Sequence, residues 1–130
     1  MPLIKINLLK GRSPEEHEKI LDCIHEAVVR AFHVPTADRY QILFEHERSH
    51  VRAEDTGLGL FRSDKLIIIE VISRERSAED KQAFYRFVAA GLSDICTIDP
   101  ADVVVSVVDN GDADWSFGLG RAQFITDELH

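Results

Sequence analysis

The chain is poor in most residue types that would mark a specialised class of protein. It holds 2 cysteines, 1 tryptophan, 1 methionine and 4 prolines. Cys23 and Cys96 are too few to build a disulfide framework, and no Cys-x-x-Cys or His-Glu-x-x-His spacing offers a zinc site. Both cysteines fall inside helical apolar patterns, which favours reduced buried thiols over a disulfide. Basic residues are also scarce. Fifteen Lys and Arg stand against 23 Asp and Glu, a formal net charge of -8. That deficit disfavours nonspecific nucleic-acid binding and docking on an anionic membrane, since both depend on basic surface. No apolar run approaches the ~18 residues that a membrane-spanning helix needs. The start, Met-Pro-Leu-Ile-Lys, has neither the basic leader nor the long apolar stretch of a signal peptide, so the expected location is cytoplasmic. Gly57-Leu58-Gly59 has Arg62 where a dinucleotide fingerprint needs glycine, and no strand-turn-helix context surrounds it.

What remains is an ordinary globular composition, 45% apolar and 29% charged over 130 residues. That is one domain's length. Three apolar runs read as strands: Leu3–Leu9, Leu66–Ile72 and Val103–Val108, with a shorter candidate at Tyr40–Phe44. Two helices are expected. The first follows Ser13-Pro14-Glu15-Glu16, an N-cap, a proline at the first helical position and a capping box. Its apolar residues Ile20, Leu21, Ile24, Ala27, Val28, Ala31 and Phe32 share one face, and Pro35 ends it. The second follows Ser77-Ala78-Glu79-Asp80, with an apolar face of Phe84, Phe87, Val88, Leu92 and Ile95. His17, His25 and His33 read as ordinary surface or helix-end residues, because steps of eight do not assemble a coordination site.

The chain also matches itself. Shifted by 64 residues, Ile4 falls on Ile68, Arg12 on Arg76, Ser13 on Ser77, Glu15 on Glu79, Ala37 on Ala101 and Asp38 on Asp102. Strand falls on strand and helix on helix, as in a duplicated β-α-β unit, although any two such units share some patterning. The expected fold is α/β (α+β): half-repeats at about 2–47 and 66–110, a tail at 111–130, and a four-stranded sheet with two helices on one face. The strands read as apolar on both faces, so the second face calls for an oligomer. In the tail, Gln123–Thr126 reads as a short strand, and Val51–Asp64 as a flexible loop bordering the site.

Few residues stand out as chemical. Pro2 follows the initiator methionine, whose removal would expose a secondary amine able to act as base, acid or nucleophile. Its alternative is an ordinary chain start, and a retained Met1 would make its nitrogen an amide. Arg74 and Arg76 lie two apart at a strand end, on the same side of an extended chain, so both guanidinium groups can meet one carboxylate. Glu75 between them points to solvent; the alternative is a solvated strand end. Asp38, between the first helix and the next strand, is either a turn aspartate or a carboxylate at the mouth of a site. Trp115 and Phe117 either wall a pocket or simply pack.

Taken together these features resemble the tautomerase superfamily. Pro2, Asp38, Arg74 and Arg76 resemble its malonate semialdehyde decarboxylase family more narrowly. The resemblance runs through Pro2-Leu3, Asp38-Arg39-Tyr40-Gln41, Asp55-Thr56-Gly57-Leu58-Gly59, Ser73-Arg74-Glu75-Arg76 and Asp114-Trp115-Ser116-Phe117-Gly118. It implies a homotrimer that decarboxylates a small 3-oxo acid without metal or organic cofactor. Pro2, Asp38, Arg74 and Arg76 would be catalytic, with Arg74, Arg76, Trp115 and Phe117 contacting the carboxylic acid substrate. Hydration or tautomerisation of small unsaturated or 2-oxo acids is the alternative chemistry. A non-catalytic trimeric binding protein is the alternative of another class.

Overall fold

The computed structural model describes residues 2–130. Its elements are β1 (Leu3–Leu9), α1 (Pro14–Phe32), β2 (Tyr40–His46), β3 (Ile67–Arg74), α2 (Ala78–Cys96) and β4 (Val103–Asn110). The sheet order is β2-β1-β3-β4. β1 runs parallel to β2 and β3 parallel to β4, while β1 and β3 pair antiparallel at the centre. The two helices lie 64 residues apart at both ends, 14–32 against 78–96.

Local chemistry explains the helix limits. The Ser13 side chain accepts from Glu16 N at 3.2 Å, and Glu16 reaches back to complete the capping box. Ser77 accepts from Asp80 N at 3.0 Å. Each such cap is worth about 1 kcal/mol. Both helices end on a left-handed residue, His33 and Thr97, each at φ 56. Non-glycine residues carry this conformation only when surrounding packing holds them there. The core fills the space between helices and sheet. Ile4, Ile6 and Leu8 of β1 and Ile67, Ile69 and Val71 of β3 meet Ile24, Val28, Phe84, Val88 and Leu92. Phe32 stacks on Phe84 with centroids 5.1 Å apart. Side chains of this kind contribute about 1.5–3 kcal/mol each when fully buried.

The face turned away from the helices is mixed rather than uniformly apolar. By register its rows are Tyr40-Leu3-Ile72-Val108, Ile42-Lys5-Glu70-Ser106 and Phe44-Asn7-Ile68-Val104. The middle row is mostly charged or polar, through Lys5, Glu70 and Ser106, and Asn7 interrupts the third. Tyr40, Ile42, Phe44 and Val108 are each at least 40% exposed.

Three expectations change. Residues 123–126 form a turn, with Ile125 N and Thr126 N both donating to Ala122 O, rather than a strand. The 51–64 segment is anchored at the other end of the sheet from Asp38. Arg62 donates to Ala101 O there, and Ser63 N donates to Asp102 Oδ1 at 2.6 Å. His25 is buried and not a surface residue; its Nε2 lies 2.7 Å from Thr36 O and ties α1 to the turn that carries Asp38. Both cysteines are free thiols, Cys23 buried and Cys96 half-buried. Burial pushes the Cys23 thiol up to about 11. No helix among the described residues is long and apolar enough to cross a membrane.

The helix contact has no slack at Gly91. A Cβ there would stand 2.6 Å from Cys23 Sγ. Alanine normally stabilises a helix interior over glycine by roughly 0.5–1 kcal/mol. Here overpacking, which costs roughly 1–3 kcal/mol, should outweigh that gain. Gly91→Ala should therefore lower stability in urea unfolding, by about 1 kcal/mol net. Adding Cys23→Ala should recover part of the loss, giving a non-additive cycle. A Gly91→Ala variant more stable than the parent would contradict this packing.

Candidate active site

The antiparallel seam brings distant parts of the chain to one end of the sheet. Leu3, at the start of β1, pairs with Tyr40 at the start of β2 and with Ile72 near the end of β3. Pro2 precedes that point and is buried, on the side of the register where Ser73 follows Ile72. Asp38 sits just ahead of β2, held in a turn by Asp38 N donating to Pro35 O at 3.0 Å. Arg74 closes β3 and Arg76 follows it.

A cavity of about 300 Å³ opens here, walled by Phe32, Val34, Asp38, Arg74, Arg76 and Phe124, with Leu129 and His130 at its edge. It brings together three of the four residues expected to be catalytic. Pro2 lies at the same sheet end without forming part of that wall. Met1, on whose removal a free Pro2 amine depends, lies outside the described residues.

The two arginines are held differently. Arg76 is fixed by donation from Nε to Ser73 Oγ at 3.1 Å and from Nη1 to Phe32 O at 3.0 Å. Ser73 is itself fully buried and donates to Arg74 O. Burial, and then the neighbouring Arg74, draw the Arg76 pKa down, while Asp38 offsets them. A guanidinium stays charged through such a shift. Arg74 lies over the Phe124 ring at 3.8 Å, a cation–π contact. Its Nη1 donates to Asp112 Oδ1 at 3.0 Å and its Nη2 to His130 O at 3.3 Å. Glu75 is exposed, as its position between the arginines requires.

Trp115 and Phe117 stand outside the cavity wall. They reach it through an aromatic chain: Trp115 stacks on Phe117 at 5.2 Å, and Phe117 meets Phe124 edge-on at 5.4 Å. Tyr40 flanks Phe117 at 5.7 Å, and Trp115 Nε1 donates to Asn110. Gly118, at φ 131, turns the tail back so that Gln123 can bridge Phe117 N and Gly118 O. Phe32, Ser73, Asp112 and Phe124 escaped sequence reasoning. Phe32 reads only as helix core, and Phe124 lies in the segment misread as a strand.

The site is therefore a small cationic and aromatic cavity with one buried carboxylate.

Comparison with known proteins agrees with this architecture. A family model described as a tautomerase enzyme matches residues 38–118, and a second with the same description matches residues 2–60. Among curated proteins, the probable tautomerase YrdN of Bacillus subtilis (strain 168) is 49% identical over 99% of this chain and 100% of its own. The probable tautomerase YusQ of the same organism is 34% identical over 96% of this chain and 99% of its own. Among solved structures, a malonate semialdehyde decarboxylase described with decarboxylase and hydratase activities superposes at TM-score 0.96. It shares 46% identity and covers 98% of this chain and 99% of its own. A second malonate semialdehyde decarboxylase, inhibited by 3-bromopropiolate, superposes at TM-score 0.93 with 40% identity, covering 98% of this chain and 97% of its own. With family matches that extend from Pro2 to Gly118 and relatives matched along nearly their whole length, this chain belongs to the tautomerase superfamily of enzymes.

Proposed function

We propose that the protein decarboxylates a small 3-oxo acid, malonate semialdehyde, to acetaldehyde and carbon dioxide, without a cofactor. The observation that carries this reading is the presence of Arg74, Arg76 and Asp38 around one cavity at the sheet end where the chain begins. The 46% and 40% identical solved relatives, both malonate semialdehyde decarboxylases, support it.

The chemistry follows from the residues. The substrate carboxylate takes the positions on Arg74 now held by Asp112 and the His130 carbonyl, and lies against Arg76. Fixing it there turns the scissile C–C bond into line with the carbonyl π system. That bond breaks, carbon dioxide leaves, and the electron pair passes into an enolate. Protonated Pro2 donates a hydrogen bond to the enolate oxygen and stabilises its charge. Carbon protonation then gives acetaldehyde. In the covalent variant, neutral Pro2 condenses with the aldehyde, with a proton taken up and water lost, to an iminium ion that accepts the electron pair as an enamine; protonation at carbon and hydrolysis then release acetaldehyde and the free amine. Asp38 positions the amine. The Phe124 ring, backed by Phe117 and through it by Trp115, supplies an apolar side that favours release of neutral carbon dioxide.

A second reading, hydration of a small unsaturated acid with Asp38 activating water, is favoured by the buried position of Asp38 on the cavity wall. The homotrimer belongs to the same proposal. Two apolar rows on the uncovered sheet face suit a partner's surface, and fused 4-OT proteins of the same fold are described as trimers.

Four outcomes are expected. Acetaldehyde release should fall on the order of 10²–10⁴-fold in Pro2→Ala, the range for losing a general acid or base, and comparably in Arg74→Ala. Intact mass should show Met1 removed in the active parent. A parent that leaves malonate semialdehyde untouched while hydrating an acetylenic acid would reject the decarboxylase reading in favour of the second. Borohydride added during turnover should trap a mass adduct on the amino-terminal peptide if the iminium route operates, and none if Pro2 acts through hydrogen bonding. Ile42→Glu, on the uncovered face, should convert a trimer to monomer in sedimentation; a parent already monomeric would refute the assembly.

A further inference from the structure

The 64-residue relation has a consequence at the opposite end of the sheet. Under it, Arg76 corresponds to Arg12, Asp38 to Asp102, Phe32 to Cys96, His33 to Thr97 and Pro2 to Leu66. A second cavity, of about 380 Å³, is lined by three of these counterparts, Arg12, Cys96 and Thr97, while Leu66 and Asp102 stand outside its lining. Arg12, Lys19 and Lys65 bring three cations to it, and Ile20, Ile95 and Cys96 an apolar side. It therefore repeats the cationic-and-apolar character of the first cavity in a chain whose net charge is -8.

Its chemistry differs in two respects. Leu66 occupies the position of Pro2, but its nitrogen is a peptide N–H that donates to Ser63 O at 3.3 Å. Asp102 is only 1% exposed, and both of its oxygens accept from Ser63. The place of the amine is taken by an amide, and the place of the carboxylate by a structural anchor.

The arginine is the part left over. Arg12 is only 8% exposed, and its Nη2 donates to Lys65 O at 2.7 Å. Its Nη1 is buried with no hydrogen-bond partner among the described residues. Buried donors are nearly always paired, because an unpaired one forfeits its hydration. Two acids lie near enough to favour its charge, Asp102 and Glu16, the one carboxylate on the cavity wall, but their hydrogen bonds go to Ser63 and to the Ser13 cap. Arg12 lines the cavity, so a small shift of its side chain would present Nη1 to an incoming carboxylate, with Lys19 and Lys65 at the margin and the aliphatic side chains against its tail.

We propose that this second cavity binds a short-chain organic acid through Arg12, Lys19 and Lys65, as an unreactive counterpart of the Arg74–Arg76 site. The preferred ligand carries a carboxylate and an aliphatic body. The proposal is independent of the reaction at the first site, because it involves neither Pro2 nor Arg74.

The test is a titration of the full-length protein with sodium butyrate at constant ionic strength, followed by amide NMR, which separates the two ends of the sheet. Saturable shifts are expected at Lys65, Cys96 and Thr97, with acetate binding more weakly than butyrate. Lys19 is exposed, so Lys19→Glu should leave the fold intact and weaken binding at these amides at least tenfold. Arg12→Gln should abolish it if that variant folds, and Lys19→Glu decides the matter if it does not. Shifts at these amides that stay linear into the tens of millimolar would overturn the proposal. So would butyrate affinity unchanged in Lys19→Glu, or saturable shifts confined to the Arg74–Arg76 end.

Discussion

The antiparallel pairing of β1 with β3 is the contact on which the rest of the structure depends. Each half, a β-α-β unit, supplies two parallel strands and one helix. Neither half alone covers its own strands, and only the central seam makes one sheet beneath both helices. Because the seam is antiparallel, the first residue of β1 lies beside the last residues of β3. Pro2 and the Arg74–Arg76 pair are therefore neighbours although more than half the chain separates them. A parallel seam would put the chain start at the opposite end of the sheet from both arginines.

Electrostatics at that end depend on local structure more than on net charge. The protein is acidic, yet it keeps two guanidinium groups beside a small cavity. Their mutual repulsion and burial would be costly without compensation. Ser73, the Phe32 carbonyl, Phe124 and Asp112 supply it through hydrogen bonds, one aromatic face and an ion pair. The Arg74–Asp112 pair is partly exposed, so solvent screening makes it weak and exchangeable. Arg76, by contrast, is held by neutral partners, Ser73 and the Phe32 carbonyl.

Sequence reasoning reached the parts governed by local rules. Ser13 and Ser77 mark their helices because a cap is chemistry within four residues. The 64-residue correspondence exposes the order of elements because periodicity survives where identities do not. Pro2, Asp38, Arg74 and Arg76 could be singled out because charged or special residues at element ends are visible one by one. Other parts depend on distant contacts. Gln123–Thr126 has strand-like side chains, but Ala122 O captures the amides that a strand would offer to a neighbour. His25 reads as a polar helix residue until the Thr36 carbonyl arrives above it. The 51–64 segment is drawn to the far end by Asp102, whose need for donors no local pattern announces. Phe124 becomes a site residue only because Gly118 reverses the tail.

The near-symmetry of the two halves is broken at the side chains that matter most. The two sheet ends carry corresponding strands and caps, and Arg76 is answered by Arg12, but Arg74 is answered by Lys10, which pairs with Glu47. Asp38 is answered by an Asp102 tied to Ser63, and Pro2 by Leu66, whose nitrogen is a peptide N–H. Duplication thus preserved the frame of the site twice while its polar groups diverged, so one frame serves the proposed chemistry and the other serves the fold.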